Sequence, residues 1–329
     1  MQGPIAGYPV PKRPGLKFFP GALAVGLTSA ALATLALVEA VGHTPWLAPL
    51  QAAILALFVF GAAREVARIL REGTAAPGFR KQAPEAIAVL AAALATFALH
   101  ARLGLSSVAA SSLVGFVASL ASRRLGAAAF CGSFVGMASP LAYETFGAVA
   151  ASGALAGLLF VAAFGSFDGF GGKLGTMALA GSLASAFFGR VELHSLVIPG
   201  WDLGLEVVAA ASLGAVATVL LAKVPGIDAV RASSLAGLAA ALFLPALAGG
   251  ERGATLALAA FTGSFVGMSQ PKRLRGIVPM TLAGAVSGLV FLFALPWFGG
   301  AGGKLGASAF VASVAVSSAP AVNGFRRAE

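Results

Sequence analysis

Two five-residue stretches of the chain read Gly-Gly-Lys-Leu-Gly, Gly171 to Gly175 and Gly302 to Gly306. Each follows an apolar, glycine-rich connection and opens an apolar run of helical length. Free backbone N–H groups, the positive end of a helix dipole and a lysine, Lys173 or Lys304, therefore fall in one place. That combination suits an anion or a polar solute. It does not suit a nucleotide phosphate loop, because no glycine stands five residues before Gly172 and Leu174 occupies the place of the hydroxyl residue after the lysine. The competing reading has both lysines snorkelling to opposite membrane surfaces over tight glycine turns.

A second pair is longer. Phe130 to Pro140 reads FCGSFVGMASP and Phe261 to Pro271 reads FTGSFVGMSQP, with eight of eleven positions identical at an offset of 131. On a helix, Gly132, Ser133 and Gly136 share one stripe while Phe130, Phe134 and Met137 share the neighbouring face, and the second copy repeats both. Small residues on such a stripe let helix backbones touch, so Gly132, Gly136, Gly263 and Gly267 are expected at helix contacts. Gly61, an isolated glycine outside the repeats, is expected to tolerate a bulky side chain better. The hydroxyls of Ser133 and Ser264 and the rings of Phe134 and Phe265 are expected to border a solute pathway, the serines as hydrogen-bonding partners and the rings as a constriction. Lys173 and Lys304 would act as attractors at its opposite mouths.

Residues for acid-base or metal chemistry do not cluster. Glu85 and Glu206 stand at the starts of equivalent spans and read as interfacial, and Asp168 precedes Gly171 in the first copy only, Gly299 taking its place in the second. His43, His100 and His194 lie near span ends in no metal-ligand spacing, and the single cysteine, Cys131, has no partner for a disulfide or a thiolate site. No catalytic residue, metal or cofactor is assigned. Trp46, Trp201 and Trp297 fit an interfacial belt.

The elements that must position these groups are membrane helices. Of 329 residues, 58% are hydrophobic and 10% charged, against roughly 25% charged in a soluble domain. Stretches such as Phe18 to Val38 and Ile277 to Trp297 reach the roughly 20 residues that cross about 30 Å of hydrocarbon, and no period of two suggests a barrel. The fold class read from this pattern is an all-α integral membrane protein of about twelve transmembrane segments. Residues 1–17 form a cytoplasmic N-terminal segment, 18–63 two extra helices, 83–189 a first repeat, 203–322 a second, inverted repeat, and 323–329 a cytoplasmic tail. VAASSLVG from Val108 and VRASSLAG from Val230 are offset by 122 rather than 131, which places an insertion near Gly249 to Thr255. Five segments per copy force the second copy into the membrane upside down, an architecture that puts a solute site between the repeats and that allows broken or re-entrant helices.

Charge sets the orientation. With the N-terminus inside, eighteen of the 22 basic residues fall on the cytoplasmic side and Arg102, Arg190, Arg252 and Lys304 outside. The net charge of +10 is thereby explained without a nucleic-acid partner. Lys12, Arg13 and Lys17 precede a hydrophobic stretch that is longer than a signal peptide and is followed at once by another span. The expected protein is a multi-pass protein of the inner (cytoplasmic) membrane with both termini cytoplasmic, surrounded by lipid bilayer and compatible with a homo-oligomer. A channel or secondary transporter for a small neutral or anionic solute fits best, since a pathway almost free of carboxylates offers little to a cation. A non-catalytic scaffold or assembly protein is the alternative, and an integral membrane enzyme has less support.

Overall fold

The computed structural model describes residues 19–72, 79–189, 191–194 and 201–326. The N-terminal segment 1–17 and the last three residues of the tail, 327–329, lie outside the described residues. Among the described residues twelve α-helices form: α1 (Phe19–His43), α2 (Ala48–Glu72), α3 (Phe79–Ala101), α4 (Ser107–Ala121), α5 (Gly126–Val135), α6 (Phe146–Ala162), α7 (Lys173–Gly189), α8 (Gly204–Leu221), α9 (Ala229–Ala248), α10 (Gly250–Gly267), α11 (Ile277–Ala294) and α12 (Lys304–Arg326). Six of them, α1, α2, α3, α8, α9 and α11, are long and apolar enough to cross a membrane. No strand occurs among the described residues beyond one isolated bridge between His194 and Gly299. Helical, apolar and rich in small residues, the chain has the build of a multi-pass membrane protein.

The local chemistry starts helices at matching places. Ser106 caps α4 by accepting from the Ala109 N–H, and Asp228, 122 residues on, caps α9 by accepting from Arg231. Helix α5 departs from expectation. The apolar stretch from Leu125 to Ala142 is long enough for a span but is helical only from Gly126 to Val135, and ten residues reach about 15 Å, half the hydrocarbon thickness. The insertion in the second copy is absorbed by longer helices, α9 having 20 residues against 15 in α4 and α10 having 18 against 10 in α5.

Packing repeats with the sequence. Helix α3 lies against α5 and α6 as α8 lies against α10 and α11, while α4 and α9 face each other between the copies. The α1–α2 hairpin stands outside this pattern, α1 packing on α11 and α2 on α12. Glycines set the closest approaches: a Cβ at Gly132 would run into the Val89 carbonyl of α3, and one at Gly263 into the Ala211 carbonyl of α8. Gly136 meets Ala93 and Thr96, and Gly267 meets Ala215 and Thr218, in the same way. Gly61 is no bystander. A Cβ there would collide with the Ser318 hydroxyl and Val314 of α12, so the expected tolerance at this position is corrected: it is the point where the extra hairpin docks.

Gly26 has nothing within 4 Å of its would-be Cβ and supplies the proper comparison. Gly136→Leu, Gly267→Leu and Gly61→Leu are each expected to cost at least the roughly 1–3 kcal/mol of an overpacked core, and Gly26→Leu close to none. Melting temperature and monodispersity of the four purified variants check this, and a Gly61→Leu protein as stable as Gly26→Leu would remove the docking role.

Candidate functional site

At the centre four rings form one cluster. Phe130 and Phe134 from α5 and Phe261 and Phe265 from α10 are all buried, with ring centroids 4.4 Å apart within each helix and 4.7 Å apart between Phe134 and Phe265. These separations lie in the favourable range for tilted and edge-on aromatic pairs.

A cavity lies on each side of it. One, of about 420 Å³, is lined by Phe134, Phe265, Met268 and the loop from Gly165 through Lys173. The other, of about 220 Å³, is lined by Phe134, Phe265, Met137 and the loop from Gly300 through Lys304. The two walls correspond residue for residue at the repeat offset: Met137 with Met268, Phe160 with Phe291, Lys173 with Lys304. Phe134 and Phe265 alone among the cluster's rings touch both cavities.

The loops that bound the cavities are held by the opposite copy. The Ser139 N–H donates to the Gly300 carbonyl (2.9 Å), and the Gln270 N–H donates to the Gly169 carbonyl (2.8 Å). The Gly171 N–H donates to the Ser269 hydroxyl, 2.9 Å away. Sequence dictates this path: Gly172 at φ 84° and Gly303 at φ 94° occupy the left-handed region, where any other residue is strained. Phe167 and Phe298, again 131 residues apart, carry φ values of 53° and 56°, an unfavourable conformation for an aromatic residue. After each turn the chain enters α7 or α12 in the interior, and the helices cross where Gly175 meets Gly306.

The lysines take unequal places. Lys173 Nζ donates to Asp168 Oδ1 at 2.8 Å. Lys304, with Gly299 in the place of an acid, is buried and donates to the carbonyls of Leu295 and Trp297 at 2.9 and 3.0 Å. Lys304 is thus turned inward, whereas Lys173 reaches a half-exposed partner. An ammonium has three N–H donors, so Lys304 keeps one beyond these two carbonyls.

The serines are elsewhere than expected. Ser133 Oγ lies 2.9 Å from Ser111 Oγ of α4 and donates to the Phe130 carbonyl, while Ser264 pairs with Ser233 of α9 at 2.8 Å and donates to the Phe261 carbonyl. Neither lines a cavity. The hydroxyls tie α5 to α4 and α10 to α9, and the ring face of each helix, not its small-residue stripe, is the one turned to the cavities. Of the six residues expected along the pathway, the structure gathers Phe134, Phe265, Lys173 and Lys304 and separates the two serines. Sequence reasoning passed over Ser139 and Gln270, whose N–H groups hold the loops; only their place next to last in the two repeat motifs marked them.

Among the described residues no three His, Cys, Asp or Glu side chains come together as a metal site would need. Cys131 is buried, its thiol 3.2 Å from the Leu174 carbonyl. Glu85 binds Arg124 (2.7 Å) and Glu206 binds Arg252, pairs at matching helix starts of the two copies. Compared with known protein families, curated proteins and solved structures, the chain matches none.

Because their hydroxyls serve helix contacts, Ser133→Ala and Ser264→Ala are expected to lower stability by about 1 kcal/mol each, the usual size for a buried hydrogen bond whose partner is left behind. Chemical denaturation in detergent measures this. Unchanged stability together with altered solute binding would return the serines to the pathway.

Proposed function

We propose that the protein is a channel or secondary transporter of the inner membrane for a small neutral or anionic solute, built on a five-plus-five inverted repeat of twelve spans. One observation carries the reading: two cavities, one bounded by each copy's glycine loop, share Phe134 and Phe265 as their common wall. A packing scaffold has no need of matched cavities separated by a movable pair of side chains. Two cavities meeting on an aromatic septum are what a pathway looks like when its gate is closed.

Size and charge narrow the solute. A cavity of 220 Å³ falls below the roughly 300–1,000 Å³ of drug-sized ligand sites, so the permeant has only a few heavy atoms. Helix starts turned to both cavities, with the remaining Lys304 donor, favour a solute bearing hydrogen-bond acceptors. The Lys173–Asp168 pair cancels its own charge and the Lys304 charge is partly met by two carbonyls. Between the two permitted classes this favours a neutral polar solute.

The inverted repeat rests on reciprocal contacts. Gly115 approaches Ser234 while Gly237 approaches Ser112, residues that correspond at an offset of 122. Residue i meeting j while j meets i is the mark of a two-fold relation. With α5 and α10 then entering from opposite faces, Leu103 and Val224, exposed in equivalent turns, lie on opposite sides of the bilayer. In a Cys131→Ala background, Leu103→Cys is expected to react with an impermeant maleimide from outside only and Val224→Cys from inside only. Labelling of both from one side would end the inverted-repeat account.

The pathway itself is tested by flux. Phe134→Ala with Phe265→Ala is expected to speed entry of small neutral solutes into proteoliposomes, by about tenfold for each 1.4 kcal/mol of barrier removed. Lys173→Ala and Lys304→Ala should dominate instead if the solute is an anion. Flux indistinguishable from protein-free liposomes for wild type and all variants, across both solute classes, would leave the scaffold reading standing.

A further inference from the structure

A third cavity lies away from the repeats' centre. It has a volume of about 660 Å³ and sits where the end of α2 meets α12 and the turn between α10 and α11. Its wall carries Arg64, Arg68 and Arg71, spaced by four and three along one face of α2, together with Arg273 from the turn. Among the described residues the one acid in that wall is Glu65, which is buried and accepts from Arg68 (2.6 Å) and from Arg273 in a two-pronged contact (2.6 and 3.1 Å). Among those residues four guanidinium groups face one carboxylate, a positive excess. Arg64 lies over the Phe60 ring and Arg273 over the Phe170 ring, 5.5 and 4.2 Å from the centroids, so the cations are set in place before any ligand arrives. A neighbouring cavity of about 320 Å³ shares Arg68 and Arg273 and adds Lys272.

We propose that this cleft is a binding site for the phosphate headgroup of an anionic lipid, held by Arg64, Arg68, Arg71 and Arg273. Guanidinium forks match phosphate oxygens two at a time, and basic pockets at the ends of membrane helices are where such headgroups lodge. A soluble phosphate would satisfy the same cations. The lipid is favoured because Phe60, Ala63, Ala67 and Phe170 give the wall an apolar part beside Ser317 and Ser318, and because α2 also exposes Val59 and Leu70, a rail for an acyl chain. Position adds a role. Arg273 has Ala142 as its counterpart in the first copy, so the arginine that meets the extra hairpin comes from the second copy, while Phe170 of the first copy completes the wall.

The test uses the full chain in detergent and in vesicles of phosphatidylcholine with or without phosphatidylglycerol. Arg64→Gln with Arg71→Gln removes two cations that make no contact with Glu65 and so spares the buried pairs. Arg80→Gln with Lys223→Gln removes the same charge from exposed positions elsewhere. Wild type and the control pair are expected to retain phosphatidylglycerol in native mass spectra and to melt higher in its presence, while Arg64→Gln with Arg71→Gln binds it at least about tenfold more weakly. Equal retention by all three proteins, equal loss in the control pair, or the same stabilisation by inorganic phosphate alone would each overturn the proposal.

Discussion

A helix that stops inside an apolar medium strands the last carbonyls behind it and the first N–H groups ahead of it, each costing several kcal/mol in hydrocarbon. The centre of this protein is arranged around that cost. Helix α5 ends at Val135 and α7 begins at Lys173, both in the interior, and α10 and α12 repeat the situation. Neither copy can satisfy its own break. The chain after α5 donates to the loop before α12, and the chain after α10 donates to the loop before α7. Glycine makes the exchange possible: a Cβ at Gly302 would strike the carbonyls of Phe134 and Val135, and one at Gly171 the carbonyl of Phe265.

Once the breaks are closed in this crossed fashion, the aromatic cluster follows. The ends of α5 and α10 are drawn to the same place, and Phe134 and Phe265, one and two residues before those ends, face each other. Their own neighbours Phe130 and Phe261 back them at 4.4 Å. The cavities are what remains on either side when a loop of glycines, lacking side chains to fill space, borders a wall of rings. Cavity, septum and loop therefore share one cause.

The repeat, the helix count and the glycine contacts could be read from residue spacing, because they depend on identity at a fixed offset and on the 3.6-residue period. The side of the helix that faces the cavities could not. A helical wheel places Ser133 and Phe134 on adjacent faces but does not say that Ser111 waits on α4 to take the hydroxyl, a contact between residues 22 apart. The early end of α5 was only partly legible: Gly136 and Pro140 are poor helix residues, but the hydrogen bond from Ser139 to Gly300 that holds the chain after the break is supplied by the distant copy. Gly61 reads as isolated in sequence because its partner, Ser318, is on the last helix.

Where the copies differ, the two mouths of the proposed pathway cease to be equivalent. Asp168 neutralises Lys173 on one side, whereas Gly299 leaves Lys304 to two carbonyls on the other. The first lysine sits beside a cavity nearly twice as large as the second. Glu65, anchored on the extra hairpin, binds Arg273, and Arg273 donates in turn to the carbonyl of Asp168 at 3.0 Å. The hairpin thus reaches, through one arginine, the loop that carries the first lysine's counter-ion. A duplicated core would treat both directions alike, but this chain of contacts ties one mouth, and not the other, to the arginine cleft at the end of α2. A ligand that drew Arg273 toward itself would pull on the Asp168 carbonyl, and so on the loop that carries the Lys173 counter-ion, and on no equivalent contact at Gly299.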